Sequence, residues 1–431
     1  MRFVGKNVVI YGAGISGLAA YELVREKGAK AIIYDDDQKA EHATNSTGVF
    51  DGADIIVLSP GVEANKDFLL DARLDNTLVI SELSLASKLC DAEQIAVTGT
   101  NGKTTATMLI DHILKRAGLH SHAVGNIGVP FCSIADKLDA TETAVIEASS
   151  FQLENSPDFA PDIAVLLNIA PDHLSRHKTM QNYINAKANI FRSQSEQDIA
   201  VYNADDEYIR DLIPQINAKK VPFSIEHIEP DGAYLSSGFA CYKGRPIVAL
   251  EDIDFKGKEI QNVLASIAVC MQKGVSEFCI ASAITDFAKP KYRRQFTRKI
   301  HGIDVYNDSK ATNVSACLCA CESVEDCVLI LGGQKGQEDF DELFANMPSN
   351  VKGFVACGEN SDLIFEKGKA HGFDVSVREN ITDALECALT KAGEAGAKSV
   401  LFSPASKSFD KYKNFEERGR VFDAIAQKLS R

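Results

Sequence analysis

A glycine-rich segment between residues 99 and 105 ends on a lysine and two threonines, and it lies between an apolar run and a helical pattern. Glycines let a backbone approach phosphate closely, and the N–H groups at a helix start point towards an anion. We expect Lys103 to reach the β and γ phosphates of ATP and the hydroxyl of Thr104 to bind Mg²⁺. Because position 97 is valine, the strict G-x-x-x-x-G-K-S/T pattern is not met, and an ordinary strand-to-helix turn is the alternative. The predicted ATP-binding residues of this loop are Gly99, Thr100, Asn101, Gly102, Lys103, Thr104 and Thr105.

A second glycine loop, G-A-G-I-S-G at residues 12–17, follows an apolar run, and Asp35 ends the next one. This spacing is typical of a loop that holds a diphosphate at a helix N-terminus, with a carboxylate near a ribose hydroxyl. An NAD-dependent oxidoreductase is therefore one hypothesis. A UDP-sugar also carries a diphosphate, so two such loops in one chain favour a single reaction that uses both nucleotides.

Carboxylates and histidines follow further apolar runs. Glu147 ends a predicted strand, where a carboxylate can hold the Mg²⁺ that bridges ATP phosphates; a charge near a helix start is the alternative. His173 and His177 are spaced i, i+4 but lack the glutamate of a zinc protease, and a histidine near a strand end is commonly structural. From composition alone, Lys187 is interpreted as a surface lysine on an amphipathic helix. The segment N-D-S-K-A-T-N at residues 307–313 predicts a substrate-facing loop.

Short apolar runs alternate with helical patterns along the whole chain, which predicts an α/β fold of parallel sheets covered by helices. Amphipathic helical patterns cover residues 104–117, 180–192, 262–272 and 381–392. Residues 221–250 predict short strands that decorate the central sheet. The predicted strands are Val8–Tyr11, Ala31–Tyr34, Ile55–Leu58, Ile95–Thr98, Ala144–Ile146, Ile163–Leu167, Ile199–Tyr202, Cys327–Leu331, Gly353–Ala356 and Ser399–Phe402.

The order of these patterns predicts three domains, with ranges 1–86, 87–290 and 291–431. The first boundary is expected near residues 84–91, just before a fresh strand and the ATP loop. The second is expected near residues 289–294, where Pro290 and a basic run end a helix.

Composition excludes several classes of protein. The 431 residues carry a formal charge of −14, so the basic footprint of a nucleic-acid-binding protein is missing and anionic ligands must be held by local devices. Eleven cysteines in no paired framework suit a reducing compartment, and Cys317, Cys319, Cys321 and Cys327 are expected in a core, not around a metal. No apolar stretch is long enough to span a membrane, and glycines interrupt the N-terminal apolar run, so a cytoplasmic protein is expected.

Seven ordered segments together resemble the Mur ligase family over nearly the whole chain. They are residues 99–105, 125–128 (G-N-I-G), 147–154 (E-A-S-S-F-Q-L-E), 168–176, 183–187, 307–313 and 403–419. The resemblance implies three α/β domains: a Rossmann-like domain for a UDP-sugar, a central P-loop ATPase-type domain, and a C-terminal Rossmann-like domain for an amino acid. It also implies ATP-dependent amide synthesis through an acyl phosphate, in the cytoplasmic synthesis of peptidoglycan precursors.

The run at residues 408–419 resembles the branch of the family that adds D-glutamate to UDP-N-acetylmuramoyl-L-alanine. The D-N-P-R segment expected in the diaminopimelate- or lysine-adding branch is absent from the sequence. The resemblance thus implies three small-molecule partners, namely ATP, the UDP-linked acceptor and D-glutamate, and a chain that acts as a monomer.

The resemblance also implies roles for individual residues. Lys187 matches the lysine that family members carbamoylate with CO₂, which creates a carboxylate-like metal ligand, and Lys310 matches a lysine near the transferred phosphoryl group. The implied catalytic residues are Lys103, His173, Lys187 and Lys310, and the implied ligands of two Mg²⁺ ions are Thr104, Glu147, His173 and Lys187. Further implied ATP contacts are Asn262, Arg293 and Asp308. The implied UDP-substrate residues are Gly14, Ile15, Ser16, Asp35, Ser59, Asn126 and His173, and those for D-glutamate are Thr312, Lys335, Ser408, Phe409 and Phe415.

The chain departs from the family pattern at two places. Lys258 and Glu259 stand where the family often has His-Asn ahead of Asn262, and Lys335 comes one position earlier after its glycine pair than the pattern expects. Two other hypotheses are a folylpolyglutamate-type ligase, which would share the ATPase core without the first glycine loop, and a non-catalytic nucleotide-binding regulator.

Overall fold

Continuous apolar runs form the central strands of three sheets, as expected for parallel strands that are buried on both faces. A computed structural model of the chain describes residues 1–37, 43–62, 66–67, 69, 71, 77–336 and 338–429. Strands β4 (Ile55–Leu58), β9 (Ile163–Leu166) and β17 (Cys327–Leu331) are buried at every position. The predicted α/β class is confirmed.

The first sheet is parallel and has the order β3-β2-β1-β4-β5. Its other strands are β1 (Asn7–Tyr11), β2 (Lys30–Tyr34), β3 (Ala43–Thr44) and β5 (Leu78–Ser81).

The second sheet has nine strands in the order β14-β13-β12-β11-β10-β9-β6-β8-β7. Its pairs are parallel from β7 to β12, and the β12–β13 and β13–β14 pairs are antiparallel. The short strands expected over residues 221–250 are thus confirmed. The remaining strands are β6 (Glu93–Thr98), β7 (Ser121–Gly125), β8 (Thr143–Glu147), β10 (Ile199–Asn203), β11 (Lys219–Ser224), β12 (Ala233–Ser236), β13 (Phe239–Tyr242) and β14 (Arg245–Ala249).

The third sheet has the order β15-β16-β20-β17-β18-β19, and only its β15–β16 pair is antiparallel. Its other strands are β15 (Gln295–Ile300), β16 (Ile303–Asn307), β18 (Val351–Cys357), β19 (Val375–Arg378) and β20 (Ser399–Phe402). Its two faces are filled by separate apolar clusters, one built around Val305 and Phe402 and the other around Leu329 and Phe354.

Helices connect the strands of all three sheets. The described α-helices are Ile15–Glu26, Glu82–Leu89, Lys103–Arg116, Ser150–Glu154, Leu174–His177, Met180–Arg192, Glu207–Arg210, Ile260–Gln272, Glu277–Thr285, Val314–Glu322, Phe340–Ala345, Ser361–Ala370, Ile381–Ala395 and Phe415–Lys428. Short 3₁₀ turns are Thr47–Phe50, Phe131–Ser133, Ala135–Lys137, Ile213–Gln215, Leu250–Asp252 and Gly257–Glu259. All ten predicted strands and all four predicted helical patterns lie on elements of the predicted type, with ends that coincide or differ by at most three residues.

The chain divides into two compact units. One contains residues 1–169, 176–253 and 261–287 and holds the first two sheets, and the other contains residues 170–175, 254–260 and 288–431 and holds the third. In the first unit a single apolar cluster includes Val8 and Ile10 of the first sheet, Leu83 of the helix Glu82–Leu89, and Ala96 and Ile146 of the second sheet. The predicted boundary near residues 84–91 therefore coincides with a packed helix, and the division into three domains stays a prediction.

The cysteines are all free thiols. Cys317, Cys321 and Cys327 are fully buried in one apolar cluster of the second unit, as expected for core residues, whereas Cys319 is only partly buried and lies outside that cluster. Among the described residues, no helix combines the length and the apolar character needed to cross a bilayer.

Candidate active site

The predicted ATP loop joins β6 to the helix Lys103–Arg116. Gly99 and Gly102 both have positive φ, at 158° and 85°, and Gly102 is the left-handed residue that precedes the helix. The backbone N–H of Asn101 donates to the Asn168 side chain at 2.8 Å, and the Asn168 side chain donates back to the Asn101 carbonyl at 3.2 Å. The loop is therefore tied to the residues that follow β9, and the N–H groups at its helix start are of the kind that bind anions.

Asn262 closes one side of this loop. A Cβ atom built on Gly102 would lie 2.2 Å from Oδ1 of Asn262, which is closer than any contact permits. Asn262 is buried and lies on the helix Ile260–Gln272 of the same unit. The structure thus brings Asn262 next to the ATP loop, and the positive φ together with this close contact favours glycine at position 102.

Two lysine side chains meet at one carbonyl of the loop. The Lys103 ammonium donates to the carbonyls of Gly99 and Thr100, at 2.9 Å each, and the Lys187 ammonium donates to the Gly99 carbonyl at 2.7 Å. Lys187 is 1% exposed, and its Nζ lies 4.7 Å from the centre of the Tyr183 ring. Interpreting Lys187 as a surface lysine from composition was therefore wrong, because its helix turns this position towards the loop.

Glu147 supplies a carboxylate at the end of β8. Its side chain is 2% exposed, Oε1 accepts a hydrogen bond from the Asn126 side chain at 2.9 Å, and Oε2 has no hydrogen-bond partner among the described residues. A buried carboxylate oxygen without a partner is costly unless a cation compensates for it. Hard oxygen donors of this kind suit Mg²⁺, so the residues present fit the ion.

A cavity of about 690 Å³ lies at the carboxyl ends of the first sheet's strands. Six of the seven residues predicted for the UDP substrate line it, namely Gly14, Ile15, Ser16, Asp35, Ser59 and Asn126. Gly14 precedes the helix Ile15–Glu26 and cannot cap it with a side chain, so the first N–H groups of that helix are oriented for an anion. Asn126 also contacts Glu147, so one side chain joins this cavity to the buried carboxylate.

Asp35 organises the glycine loop of this cavity. Its Oδ2 accepts the backbone N–H of Ala13 at 2.6 Å and its Oδ1 accepts that of Asp37 at 2.9 Å. Both oxygens are therefore used by the backbone, and a contact between Asp35 and a ribose or base stays a prediction.

Asp36, its neighbour, is a cavity residue that the sequence reasoning missed. It accepts hydrogen bonds from Tyr11 at 2.7 Å, Tyr34 at 3.1 Å and Lys66 at 3.1 Å. The bond from Tyr11, with those from Lys66 and Tyr34, holds the pKa of Asp36 below its ordinary value against the opposing effect of burial. The signal that could have found it is the consecutive pair of aspartates after β2.

In the second unit, a cavity of about 360 Å³ contains His173, Thr312 and Lys335. His173 has a left-handed backbone, with φ at 55°, which is uncommon for a non-glycine residue and is typical of functional sites. Asp172 accepts the backbone N–H of His173 at 2.8 Å and the side-chain amide of Asn313 at 2.9 Å. The sequence reasoning did not single out Asp172, although it lies inside the segment that carried the resemblance.

Asp308 and Lys310 follow β16 on one loop of the second unit. Asp308 is fully buried and accepts hydrogen bonds from the backbone of Arg294 at 3.0 Å and from the Ser403 hydroxyl at 2.8 Å. Burial raises the pKa of Asp308 to about 6, and the nearby Arg293 charge opposes that rise. Lys310 places its ammonium 5.5 Å from the centre of the Phe415 ring.

Not all predicted D-glutamate residues line the cavity of the second unit. Of the five, its described lining includes Thr312 and Lys335 but not the other three. Ser408 is buried, Phe409 is 61% exposed, and Phe415 packs against Lys310. Lys407 does line the cavity, and the sequence reasoning missed it.

The two positions that depart from the family pattern form ion pairs inside the second unit. Lys258 lies 3.6 Å from Glu322. Glu259 is 8% exposed and lies 2.8 Å from Lys289 and 3.5 Å from Arg294. These side chains are therefore engaged in a local charge network of their own.

Comparisons with known proteins agree with this geometry. The family model described as Mur ligase middle domain matches residues 97–270. UDP-N-acetylmuramoylalanine–D-glutamate ligase of Alkaliphilus oremlandii is 36% identical over 457 aligned positions that cover all of both chains. The enzyme of the same name from a Geobacillus species is 35% identical over 98% of each chain.

Solved structures show the same fold at lower identity. UDP-N-acetylmuramate-alanine ligase MurC from Thermotoga maritima superposes with a TM-score of 0.60 at 18% identity, over 98% of this chain and 99% of that one. MurF ligase from Thermotoga maritima in complex with ADP gives a TM-score of 0.60 at 15% identity, over 99% of this chain and 96% of that one.

The two glycine loops, the buried carboxylate and the shared fold define a Mur ligase. Within that class, the full-length relatives decide the branch: the chain belongs to the UDP-N-acetylmuramoylalanine–D-glutamate ligase family. This membership favours an amide-forming ligase over an NAD-dependent oxidoreductase and over a non-catalytic nucleotide-binding regulator.

Proposed function

We propose that this chain joins D-glutamate to UDP-N-acetylmuramoyl-L-alanine and cleaves ATP to ADP and phosphate. The observation that carries the proposal is identity of 33–36% to enzymes of that name over essentially the whole chain. The reaction would supply a precursor of peptidoglycan in the cytoplasm. The formal charge of −14 disfavours a nucleic acid partner, so local loops would have to hold the small anionic substrates.

ATP would bind at the loop between β6 and the helix Lys103–Arg116. The backbone N–H groups at the helix start would receive the β and γ phosphates, and the Lys103 ammonium would leave the Gly99 carbonyl to neutralise them. Arg293 and Asp308 are proposed as further contacts of ATP. The Asp308 carboxyl is held in place, because one oxygen accepts from the backbone N–H of Arg294 and the other from the Ser403 hydroxyl.

The proposed ligands of two Mg²⁺ ions are Thr104, Glu147, His173 and Lys187. When bound, Mg²⁺ supplies charge neutralisation on the phosphate oxygens. The unpaired Oε2 of Glu147 supports this proposal on the protein side. Lys187 as an ammonium would repel a cation, so we propose that its carbamate, formed with CO₂, is the active form.

The chemistry begins with the alanyl carboxylate of the acceptor, which is a poor acylating agent until it is activated. One carboxylate oxygen attacks the γ phosphorus in line, the bond to the β–γ bridging oxygen breaks, and ADP leaves. The D-glutamate amine, having lost a proton, attacks the acyl carbon, and phosphate leaves from the tetrahedral intermediate. Lys310, near Phe415, is proposed to stabilise the charge on the transferred phosphoryl group.

D-glutamate is proposed to bind in the second unit at the five predicted residues. The cations Lys335 and Lys407 line the cavity there and could pair with its two carboxylates. The UDP part of the acceptor would occupy the cavity of the first sheet. We propose that the three sheets correspond to the domains 1–86, 87–290 and 291–431, and that the chain acts as a monomer.

The test is phosphate release by the purified chain with ATP, Mg²⁺ and UDP-N-acetylmuramoyl-L-alanine. We expect D-glutamate to support release and L-glutamate, L-alanine and meso-diaminopimelate to leave the rate at background. Release with one of these other amino acids in place of D-glutamate would assign the chain to a different reaction.

A further inference from the structure

The N-terminus of the helix Glu82–Leu89 is tied to the segment that follows Glu147 by three side-chain pairs. Ser81 and Ser156 share a hydrogen bond of 2.5 Å, Gln152 donates to Glu82 Oε1 at 2.8 Å, and Ser84 donates to Asp158 at 2.7 Å. Among the residues of these three pairs, Glu82 differs because its carboxyl group is almost completely buried, with 1% exposure. The reaction proposed above gives it no role.

Gln152 also forms hydrogen bonds with Ser149, close to Glu147 in the chain. Its Oε1 accepts the backbone N–H of Ser149 at 2.9 Å and the Ser149 hydroxyl at 3.1 Å, while its Nε2 donates to Glu82. The orientation of this amide is therefore fixed from both sides, by the Ser149 donors at its oxygen and by the Glu82 acceptor at its NH₂ group. Ser149 is two residues from Glu147, so the position of the turn depends on which way the Gln152 amide faces.

We propose that Glu82 is a positioning residue for the Glu147–Ser149 turn, acting through the side-chain amide of Gln152. Without an acceptor at position 82, the Gln152 amide loses its directing partner, and a rotated amide would set its NH₂ group against two donors of Ser149. The turn would then relax, and the carboxylate of Glu147 would move away from the place where it meets a cation. The proposal rests on the proposed function only in taking Glu147 as a metal ligand.

Burying the Glu82 carboxyl group costs desolvation free energy. A side chain that only filled space at this position would not need a carboxyl group. Desolvation raises the pKa of Glu82 to about 7, although hydrogen bonds from Gln152 and Cys132 oppose the rise. The Cys132 thiol lies 3.8 Å from Glu82 Oε2 and 3.3 Å from the backbone carbonyl of Glu82. An apolar side chain would pack here without that desolvation cost, so a buried acceptor at this position points to a directing role.

The experiment compares Glu82→Met with Ser84→Ala in the full-length chain. Methionine fills the same volume without an acceptor, and Ser84→Ala removes a hydrogen bond of the same helix that does not lead to Ser149. The first readout is Mn²⁺ binding in the presence of an ATP analogue, followed by electron paramagnetic resonance. The second is hydrogen–deuterium exchange of peptides that cover residues 147–154.

We expect Glu82→Met to weaken Mn²⁺ binding about tenfold, as outer-shell partners of metal ligands do, and to speed exchange over residues 147–154. Ser84→Ala should match the wild-type chain in both readouts. Equal Mn²⁺ affinity and equal exchange in the two variants and the wild type would overturn the proposal. If the wild-type chain itself binds no Mn²⁺ with the analogue, the proposed metal site fails, and the exchange result still decides whether Glu82 positions the turn.

A donor–acceptor exchange keeps the test decisive if Glu82→Met does not fold. Gln152→Glu alone places two carboxyl groups face to face and should weaken Mn²⁺ binding. Adding Glu82→Gln restores one donor and one acceptor between the two positions, while the residue at 152 still accepts from Ser149. Recovery of Mn²⁺ affinity to within about twofold in the double variant is expected, and no recovery in a folded double variant would contradict the directing role.

Discussion

Among the individual residues, Glu147 has the surroundings that point most clearly to cation binding. It is buried, bonded through one oxygen to Asn126, and left without a partner at the other oxygen among the described residues. Native proteins leave few buried polar atoms unsatisfied, and those few commonly mark catalytic or ion-binding positions. Without a bound cation, the unpaired oxygen of Glu147 therefore lowers the stability of the fold, and a bound cation would remove this destabilisation.

Glu147→Gln tests this interpretation. Without metal, the variant should melt at the same temperature as the wild type or higher, because an uncompensated buried charge is gone. With Mg²⁺ and a non-hydrolysable ATP analogue, the wild type should gain several degrees and the variant should not. The exposed Glu196, changed to Gln, is the control for a loss of one charge. A ligand-induced shift of equal size in Glu147→Gln and the wild type would contradict the metal role.

Lys187→Ala tests the carbamate proposal. Removing the buried side chain should lower phosphate release by at least about a hundredfold, and short carboxylic acids should restore part of the rate by occupying the vacated space. Asn185→Ala, an exposed position on the same helix, should keep the wild-type rate. A Lys187→Ala variant with the wild-type rate, or one that no carboxylic acid rescues, would count against the carbamate.

At the scale of elements, the sequence predicted the strands that are continuously apolar and the helices that follow the glycine loops. It missed β3, β5, β7, β15 and β19 and gave no bounds for β16, because these strands at or next to sheet edges are short or carry polar residues such as Ser121 and His122. The loops were found because their chemistry depends on local spacing.

Contacts between segments that are distant in the chain could not be predicted from the sequence. The pairs Asn126–Glu147 and Glu82–Gln152 depend on how strands and helices pack, and no spacing encodes them. Lys187 is an exception, since it falls on the apolar stripe of its helix with Tyr183 and Ile190, and this pattern predicts burial.

The ATP loop yields a prediction about backbone geometry. Gly102→Ala places a Cβ against Asn262 and strains a left-handed residue, so it should destabilise the fold by a few kcal/mol and weaken ATP binding. Gly118→Ala, which follows the same helix with φ at 80° and has open space around it, carries the strain alone and is the matched control. Chemical denaturation measures the free energy of unfolding, and nucleotide titration measures the affinity for ATP. Equal losses of stability in Gly102→Ala and Gly118→Ala would exclude the Asn262 contact as a cause.

The helix Glu82–Leu89 yields a prediction about pH. The pKa of Glu82 rises from an ordinary 4.5 to about 7 in the folded chain, so the folded state holds a proton that the unfolded state has released between those values. Stability is therefore expected to fall as pH rises from about 4.5 to 7 and to stay reduced above it. Glu82→Gln removes this loss, so it should be more stable than the wild type at pH 8 and no more stable at pH 4.5. Denaturant melts at both pH values measure the difference, and a constant difference would contradict the raised pKa.

At the scale of the whole molecule, two anion-binding loops and a buried carboxylate occur in one unit, and a cavity lined by His173 and two lysines occurs in the other. One reaction uses all of these features if nucleotide cleavage activates a carboxyl group for attack by an amine. The family relationship over the full chain is consistent with that requirement.

The most direct test of carboxyl activation by ATP is to trace ¹⁸O from the acceptor carboxylate into the released phosphate. An acceptor whose alanyl carboxylate carries ¹⁸O is incubated with ATP, Mg²⁺, D-glutamate and the purified chain, and the released phosphate is analysed by mass spectrometry. An acyl phosphate transfers one carboxylate oxygen to phosphorus, so we expect one ¹⁸O atom in the phosphate for each amide formed. Amide formation with unlabelled phosphate would contradict it.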